Sequence, residues 1–514
     1  MSDSRTSKSL KNIQTALIFY IINLILNLFS RKAFIDNLGT EVLGLNSTIV
    51  NLLGFLNLAE AGIGLAIAYN LYRPIFLDDK TVISEIISVQ GWIYRKIAYF
   101  IIIISCLILP LFPFIFNKMD LPLWYAYSSF IVLLVSPLLG YFVNYTQVLL
   151  SADQKEYQVS LNVQGIKSIK ILIQILCVTY FSYAYIYWLV VEFLMAIVVA
   201  ISLNYTVKKV YPWLKTDWKN GKKLRNKYPG IIKKTKQLFV HKIASYSLNQ
   251  TSSLIIYGFT SLTIVANYGN YMLIMMGVIA FINALMNGMT AGIGNMVAEG
   301  NKEKIKKIYW EVTSFRIWIS SLICFCMYYL VNPFIGLWIG KEYLINSSAF
   351  ILLLVFAYIS MTRTNEIFLS AYGLYHDVWA PLVEAGLNIG LSIFLGYHFG
   401  LTGILLGVVI SLIIIPVCWK GYFLYKDGFQ DHFKEYIYTQ SKYLLLIAFS
   451  FTLSSLLKKN ISLNIINWGD FVKNFFVLVF VYSFISLVIF EITDYYFRTF
   501  SKRVIIQLHK AIKR

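Results

Sequence analysis

The chain has 514 residues, of which 58% are hydrophobic and only 14% charged, with a formal net charge of +20. No soluble core of this length needs so much apolar surface, and apolar runs of about 20 residues recur along the chain, so the sequence reads as a polytopic membrane protein. Each run must cross as a helix, because only helices and closed barrels satisfy their backbone in lipid and the runs are too long for barrel strands.

Fourteen spans are predicted, at roughly 13–30, 42–70, 92–116, 123–150, 160–180, 184–207, 240–260, 266–296, 309–331, 347–371, 379–398, 402–424, 442–457 and 473–493. The first lacks a small-residue cleavage site and runs into Arg31 and Lys32, as a signal anchor does. The second ends near Leu56-Asn57-Leu58-Ala59-Glu60, followed by Ala61-Gly62-Ile63-Gly64. The fourth carries Asn144 and Gln147, and Leu150-Ser151-Ala152 starts six residues after Asn144. In the fifth, Lys167 and Lys170 share one helical face, where they either reach a watery cavity or snorkel to the helix end. Glu192 follows in the sixth.

Between the sixth and seventh spans, the segment from Lys208 to Lys242 holds twelve basic residues against the single acid Asp217. Such a run could bind nucleic acid, but beside a membrane it reads as a positive-inside loop held to anionic lipid headgroups, and no nucleic-acid partner is expected. With the N-terminus inside, the inner segments together hold most of the Lys and Arg, which puts both termini in the cytoplasm.

The seventh span is rich in Ser, Asn, Gln and Thr, Asn249 among them, and suits a cavity wall. Arg316 lies a short way into the ninth span, Arg363 and Glu366 share a face of the tenth, and Glu384 lies in the eleventh. A charge near the bilayer centre costs roughly 2.5 to 3.5 kcal/mol on insertion scales, so these groups should face water or each other. Trp residues at span ends, such as Trp92, Trp310 and Trp338, read mostly as interfacial anchors. The five cysteines sit in apolar stretches and read as small core hydrophobes.

Two short strings recur in order. Ala61-Gly62-Ile63-Gly64 returns as Ala291-Gly292-Ile293-Gly294, and Leu150-Ser151-Ala152 as Leu369-Ser370-Ala371, again six residues after a polar pair member, Arg363. Two parallel repeats of six helices are the reading, an architecture usual in secondary transporters. The expected organisation is an N-lobe at 1–207, a basic cytoplasmic linker at 208–239, a C-lobe at 240–426, and two accessory helices with a basic tail at 427–514.

No HExxH spacing, phosphate-binding GxxxxGK[ST] loop or large soluble domain is present, so metal catalysis and ATP hydrolysis find no support. A polytopic glycosyltransferase, polymerase or ligase would need clustered carboxylates on long outer loops, and Glu342 and Asp470 stand there without an acidic neighbour in sequence.

The chain resembles the polysaccharide transporters of the multidrug/oligosaccharidyl-lipid/polysaccharide (MOP, MATE-like) superfamily, especially O-antigen flippases of the Wzx type. The matching stretches are Arg31 with Leu38-Gly39-Thr40-Glu41-Val42-Leu43-Gly44-Leu45, Glu60-Ala61-Gly62-Ile63-Gly64, the turn Leu150 to Tyr157, Tyr257-Gly258-Phe259 through Tyr271, and Ala371-Tyr372-Gly373, Pro381, Asn388-Ile389 and Gly400-Leu401-Thr402-Gly403-Ile404 on to Gly407. The acidic residue often found in helix seven is absent, with Asn249 or Thr251 nearby.

The resemblance implies a V-shaped bundle of two six-helix lobes in the bacterial inner membrane. The implied substrate is an undecaprenyl-diphosphate-linked oligosaccharide of O-antigen, capsule or exopolysaccharide, moved outward by alternating access without a cofactor, with H+ or Na+ as candidate coupling ions. Polysaccharide polymerase and chain-length proteins are candidate partners. Arg31, Lys167, Lys170, Arg316 and Arg363 are the expected headgroup or glycan contacts, Glu60 and Glu366 their partners or ion-coupling groups, and Asn144, Gln147 and Asn249 cavity lining. A multidrug exporter or a lipid II flippase of the same superfamily stays open as an alternative.

Overall fold

The computed structural model describes residues 5–60, 62–231, 252–374, 376–459 and 464–512. Among them the chain is helical without strands. Eleven helices are long and apolar enough to cross a membrane, and two of these are pairs of spans joined through a kink, at Gly39 (φ 84°) and Gly400 (φ 55°). Counted at these kinks they correspond to thirteen of the fourteen spans expected, and most of the seventh, 240–260, lies outside the described residues. The fold is an all-α polytopic membrane protein.

The chain divides into two compact units, Met1–Ala266 and Asn267–Arg514. The first contains α1 (Arg5–Leu56), α2 (Ile63–Phe76), α3 (Lys80–Ile108), α4 (Trp124–Phe142), α5 (Glu156–Tyr180), α6 (Ala184–Val210) and α7 (Ser252–Phe259). The division falls within α8 (Leu262–Glu299). The second unit continues with α9 (Lys302–Trp338), α10 (Ser347–Met361), α11 (Thr364–Tyr372), α12 (Trp379–Leu412), α13 (Phe433–Lys459), α14 (Trp468–Thr493) and α15 (Tyr495–Ile512).

In lipid, helices associate through close packing and interhelical hydrogen bonds more than through the hydrophobic effect. α1 and α5 meet along such a seam. The Asn23 amide donates to Gln164 at 3.4 Å, and Ser168 donates back to Asn23 at 3.3 Å. The chain of α12 turns back at Gly400 because Gly403 and Gly407 let two backbones touch. A Cβ on Gly403 would collide with the Leu395 carbonyl, and one on Gly407 would stand 2.7 Å from the Leu391 carbonyl carbon. This is the small-xxx-small device for helix contact, folded within one chain. Ser392 seals it with a hydrogen bond to the Ile404 carbonyl at 3.0 Å.

Trp310 and Trp338, expected at the interface, are buried instead. Trp310 is fully enclosed with Tyr309, Tyr425 and Tyr443 in the aromatic core of the second unit. That core packs against a π-helical stretch after α12, Ile413–Trp419. There Tyr436 of α13 donates to the Val417 carbonyl at 2.9 Å and accepts from Asn365 at 3.1 Å, whose Oδ1 takes the Tyr309 hydroxyl at 2.6 Å. Of the five free cysteines only Cys326 is buried, while Cys106 and Cys418 are exposed on their helices.

The two recurring strings behave differently. Leu150-Ser151-Ala152 ends a short helix, Val148–Ala152, and Leu369-Ser370-Ala371 lies in the last turn of α11. Both close in the same way: Lys155 N–H donates to Leu150 O at 2.8 Å and Leu374 N–H to Leu369 O at 2.9 Å, each across a residue in the left-handed region, Gln154 and Gly373. This is the 6→1 bond of a Schellman cap. The other string differs between copies. Gly62 (φ 87°) breaks the first copy, between the 3₁₀ turn Asn57–Glu60 and α2, so the second span is not one continuous helix. The second copy runs on within α8.

Candidate functional site: intramembrane charges of each unit

In the first unit, the candidate cations have different surroundings. Arg31, on α1 before the Gly39 kink, reaches the Ala266 carbonyl of α8 with Nη2 at 3.4 Å. Glu60, on the turn where the second span breaks, accepts the Tyr94 hydroxyl at 2.6 Å. Tyr94 packs edge-on against Tyr141, whose hydroxyl donates to Asn57 in the same turn at 3.0 Å. The Glu60 carboxylate thus helps fasten the break in the second span to α3.

Lys167 and Lys170 lie near the middle of α5, eleven and fourteen residues from its start. Lys167 is exposed. Lys170 forms an ion pair with Glu192 of α6 at 2.6 Å, and the other Glu192 oxygen accepts from Gln174 at 2.8 Å. Glu192 is visible in the sequence as a charge in the sixth span but not as the partner of Lys170, although Gln174, one turn beyond Lys170, marks this face as polar. Asn144 is buried in the 3₁₀ turn Asn144–Gln147, and its Oδ1 has no hydrogen-bond partner among the described residues. Gln147 in the same turn is half-buried. Asn249 lies outside the described residues.

The linker, expected as a positive-inside loop held to anionic lipid headgroups, is in its described part docked on α3. Asp217 N–H donates to Ser88 at 2.9 Å, and Gly221 lies directly against the Ser88 backbone and the Trp92 side chain. The Arg95 guanidinium stands 4.4 Å from the Trp218 ring and 5.4 Å from Tyr145, geometry suited to cation–π attraction. Glu85 accepts from Lys227 at 2.6 Å and from the Tyr228 hydroxyl. At the start of the linker, burial and then the Asp153 carboxylate push the Tyr211 hydroxyl well above its usual range, which keeps it a neutral donor to Asp153 at 2.8 Å.

In the second unit, the charges converge. Arg316, 2% exposed on α9, donates from Nε to the Met361 carbonyl at the end of α10 and from Nη2 to Asn283 of α8 at 2.9 Å. Its Nη1 is buried without a hydrogen-bond partner among the described residues. Arg363 stands at the break between α10 and α11, where Thr362 and Arg363 leave the helix, and pairs with Glu366 at 3.3 Å. Its Nε is likewise buried and unpartnered. Both charges lie within electrostatic reach of Arg316, and with Lys420 they also reach Glu384 of α12. Glu384 is 8% exposed, and its Oε1 has no hydrogen-bond partner among the described residues. Lys420 is already engaged with the buried Asp377 at 2.7 Å. Asn283 and Glu384 were not among the expected site residues; Glu384 stands out in the sequence as a charge inside a span, whereas Asn283 lies in no motif.

The second unit therefore holds two guanidinium nitrogens and one carboxylate oxygen that are buried and have no hydrogen-bond partner among the described residues. Such groups are expensive in isolation, so their natural complements are an anion for the first pair and a proton or cation for the last.

No protein-family model matches the chain, and no curated protein matches it. Solved structures do. The lipid II flippase MurJ, in an inward closed conformation, superposes with a TM-score of 0.62 at 15% identity, over 93% of this chain and 98% of that one. An inward-facing multidrug resistance transporter of the MATE family in the MOP superfamily gives 0.57 at 14% identity, over 82% of this chain and 99% of that one. A MOP superfamily transporter from Pyrococcus furiosus gives 0.51 at 15%, over 83% and 97%. The class defined is a multi-pass membrane protein with the fold of MOP superfamily transporters. At these identities the likeness is one of fold.

Proposed function

We propose that this chain is a flippase for a lipid-linked oligosaccharide with a diphosphate headgroup, of the undecaprenyl-diphosphate type, destined for O-antigen, capsule or exopolysaccharide. It moves its substrate from the inner to the outer leaflet of the bacterial cytoplasmic membrane by alternating access, with both termini inside. The observation that carries this reading is Arg316, a buried arginine with Nη1 unpartnered in a membrane span, close in charge to Arg363. A diphosphate takes forked donors well, and a glycan-bearing diphosphate cannot cross hydrocarbon unaided.

Arg31 and the two α5 lysines extend the cationic set in the first unit, while Glu366 is the counter-charge of Arg363 and Glu60 an ion-coupling candidate. Glu384 is the added candidate for the coupling ion, since a carboxylate with one oxygen unpartnered can take up H+ or Na+. Downstream polymerase and chain-length proteins would receive the product. The fold likeness to a lipid II flippase supports a second reading, in which the lipid-linked substrate is a murein precursor.

The test is deletion followed by complementation. Loss of the protein should accumulate a lipid-linked oligosaccharide on the inner leaflet, restored by the wild-type chain and not by Arg316→Gln. Altered drug sensitivity with no such intermediate would overturn the proposal, and accumulation of lipid II would select the second reading.

A further inference from the structure

In the first unit, α4 and α6 enclose a groove of about 290 Å³ whose lining includes Leu139, Val143, Ile197, Ile201, Asn204 and Lys208. The α6 residues 197, 201, 204 and 208 follow one helical face, about 16 Å long at 1.5 Å per residue. Along that line the wall passes from apolar to polar and ends at the exposed Lys208. The groove therefore has the gradient of a single amphiphile.

Beyond Lys208 the chain enters the docked linker. Its Lys215, Lys219, Lys222 and Lys223 are exposed, and none has an acidic partner among the described residues. Asp217, the acid among them, is occupied by Lys219 N–H at 2.9 Å and Asn220 at 2.6 Å. Docking holds these cations beside the groove. Arg95, which reaches the Trp218 ring, also donates to the Phe142 carbonyl at 3.4 Å, immediately before Val143 of the groove wall.

We infer that this is a site for a resident anionic phospholipid of the bilayer, with one acyl chain along the groove, its phosphate at Asn204 and Lys208, and its headgroup charge toward the docked lysines. A soluble anion would make no use of the apolar wall, and a zwitterionic lipid would leave the lysine cluster uncompensated. The inference rests on the proposed orientation, which places this end of α6 at the cytoplasmic leaflet, where anionic lipids attract basic segments.

The test uses the full chain in nanodiscs of phosphatidylcholine doped with phosphatidylglycerol, with retained lipid read by native mass spectrometry. A basic residue near an anionic surface is worth roughly fivefold in binding, so Lys208→Gln/Lys219→Gln/Lys222→Gln should lower the preference for phosphatidylglycerol on the order of a hundredfold. Ile201→Trp should lower it by filling the groove with no change of charge. Unfolding in pure phosphatidylcholine, expected at the wild-type temperature for both variants, verifies their folding. An unchanged preference in either folded variant overturns the site, as does one-for-one displacement of phosphatidylglycerol from the wild type by a polyprenyl diphosphate. Flipping is read separately, so its absence with the lipid preference intact counts against the proposed function and not against this site.

Discussion

Gln154 and Gly373 hold the same left-handed position, at φ 58° and 69°, four residues after the Leu of each Leu-Ser-Ala copy. A residue with a Cβ bears a cost of about 1 kcal/mol there, and glycine does not. Nothing lies within 4 Å of a Cβ built on Gly373, so backbone strain alone should decide the outcome. Gly373→Ala should lower stability by about 1 kcal/mol, and Gln154→Gly should raise it by up to about 1 kcal/mol, read as opposite shifts in thermal unfolding in detergent.

The Lys170–Glu192 pair predicts a strong coupling. Removing one partner leaves a charge inside a span, so Lys170→Met or Glu192→Gln should each cost about 2–3 kcal/mol, while the double variant recovers most of the loss. A double-mutant cycle measures the coupling directly. Flipping assays on the double variant then separate the roles: retained transport makes Lys170 structural, and lost transport at recovered stability keeps it as a headgroup contact.

The return of α12 gives an internal contrast among glycines. Gly407→Ala sets a Cβ against the backbone of Leu391 and Ser392 and should open the helix pair, with loss of monodisperse protein on size exclusion. Gly386 and Gly390, in the same helix, have nothing within 4 Å of a built Cβ. Alanine there should be neutral or stabilise by up to about 1 kcal/mol through helix propensity. Equal damage at all three positions would sink the close-contact account.

Asp431, in the turn before α13, bonds to Lys306 and to the His432 N–H at 2.6 Å, and these hold its carboxyl below the usual value of 3.8. A depressed acid adds stability above its unfolded pKa, and that stability is lost as pH falls through the lower folded value. Wild type should therefore be more stable than Asp431→Asn near neutral pH, and the gap should close below about pH 4. A gap that widens on acidification would contradict the assignment.

The all-α polytopic class was legible because lipid imposes one rule on every span, and the Leu-Ser-Ala repeat was legible because its cap is local. Much of the candidate site was not. Lys170 and Glu192 are 22 residues apart on neighbouring helices, and Arg316 meets Asn283 and the Met361 carbonyl across three helices. Such pairings depend on helix rotation, which hydropathy leaves open. The Ala-Gly-Ile-Gly match shows the opposite hazard: identical letters form a broken helix around Gly62 and a continuous one in α8. The linker's charge was plain, but its docking depends on Ser88, Trp92 and Arg95, which lie far upstream in the chain.

The last helix, α15, begins on Asp494, a fully buried carboxylate that takes Lys442 at 2.9 Å and caps the Phe497 N–H at 2.9 Å. Farther along, Arg503 reaches the fully buried Glu311 of α9 at 2.8 Å, beside Thr499 at 3.1 Å. Anyone trimming the C-terminus for expression or crystallisation should therefore cut after Arg503. A shorter protein would strand a negative charge in the interior of α9, and what looks like a dispensable tail would prove to be the stopper of its own domain.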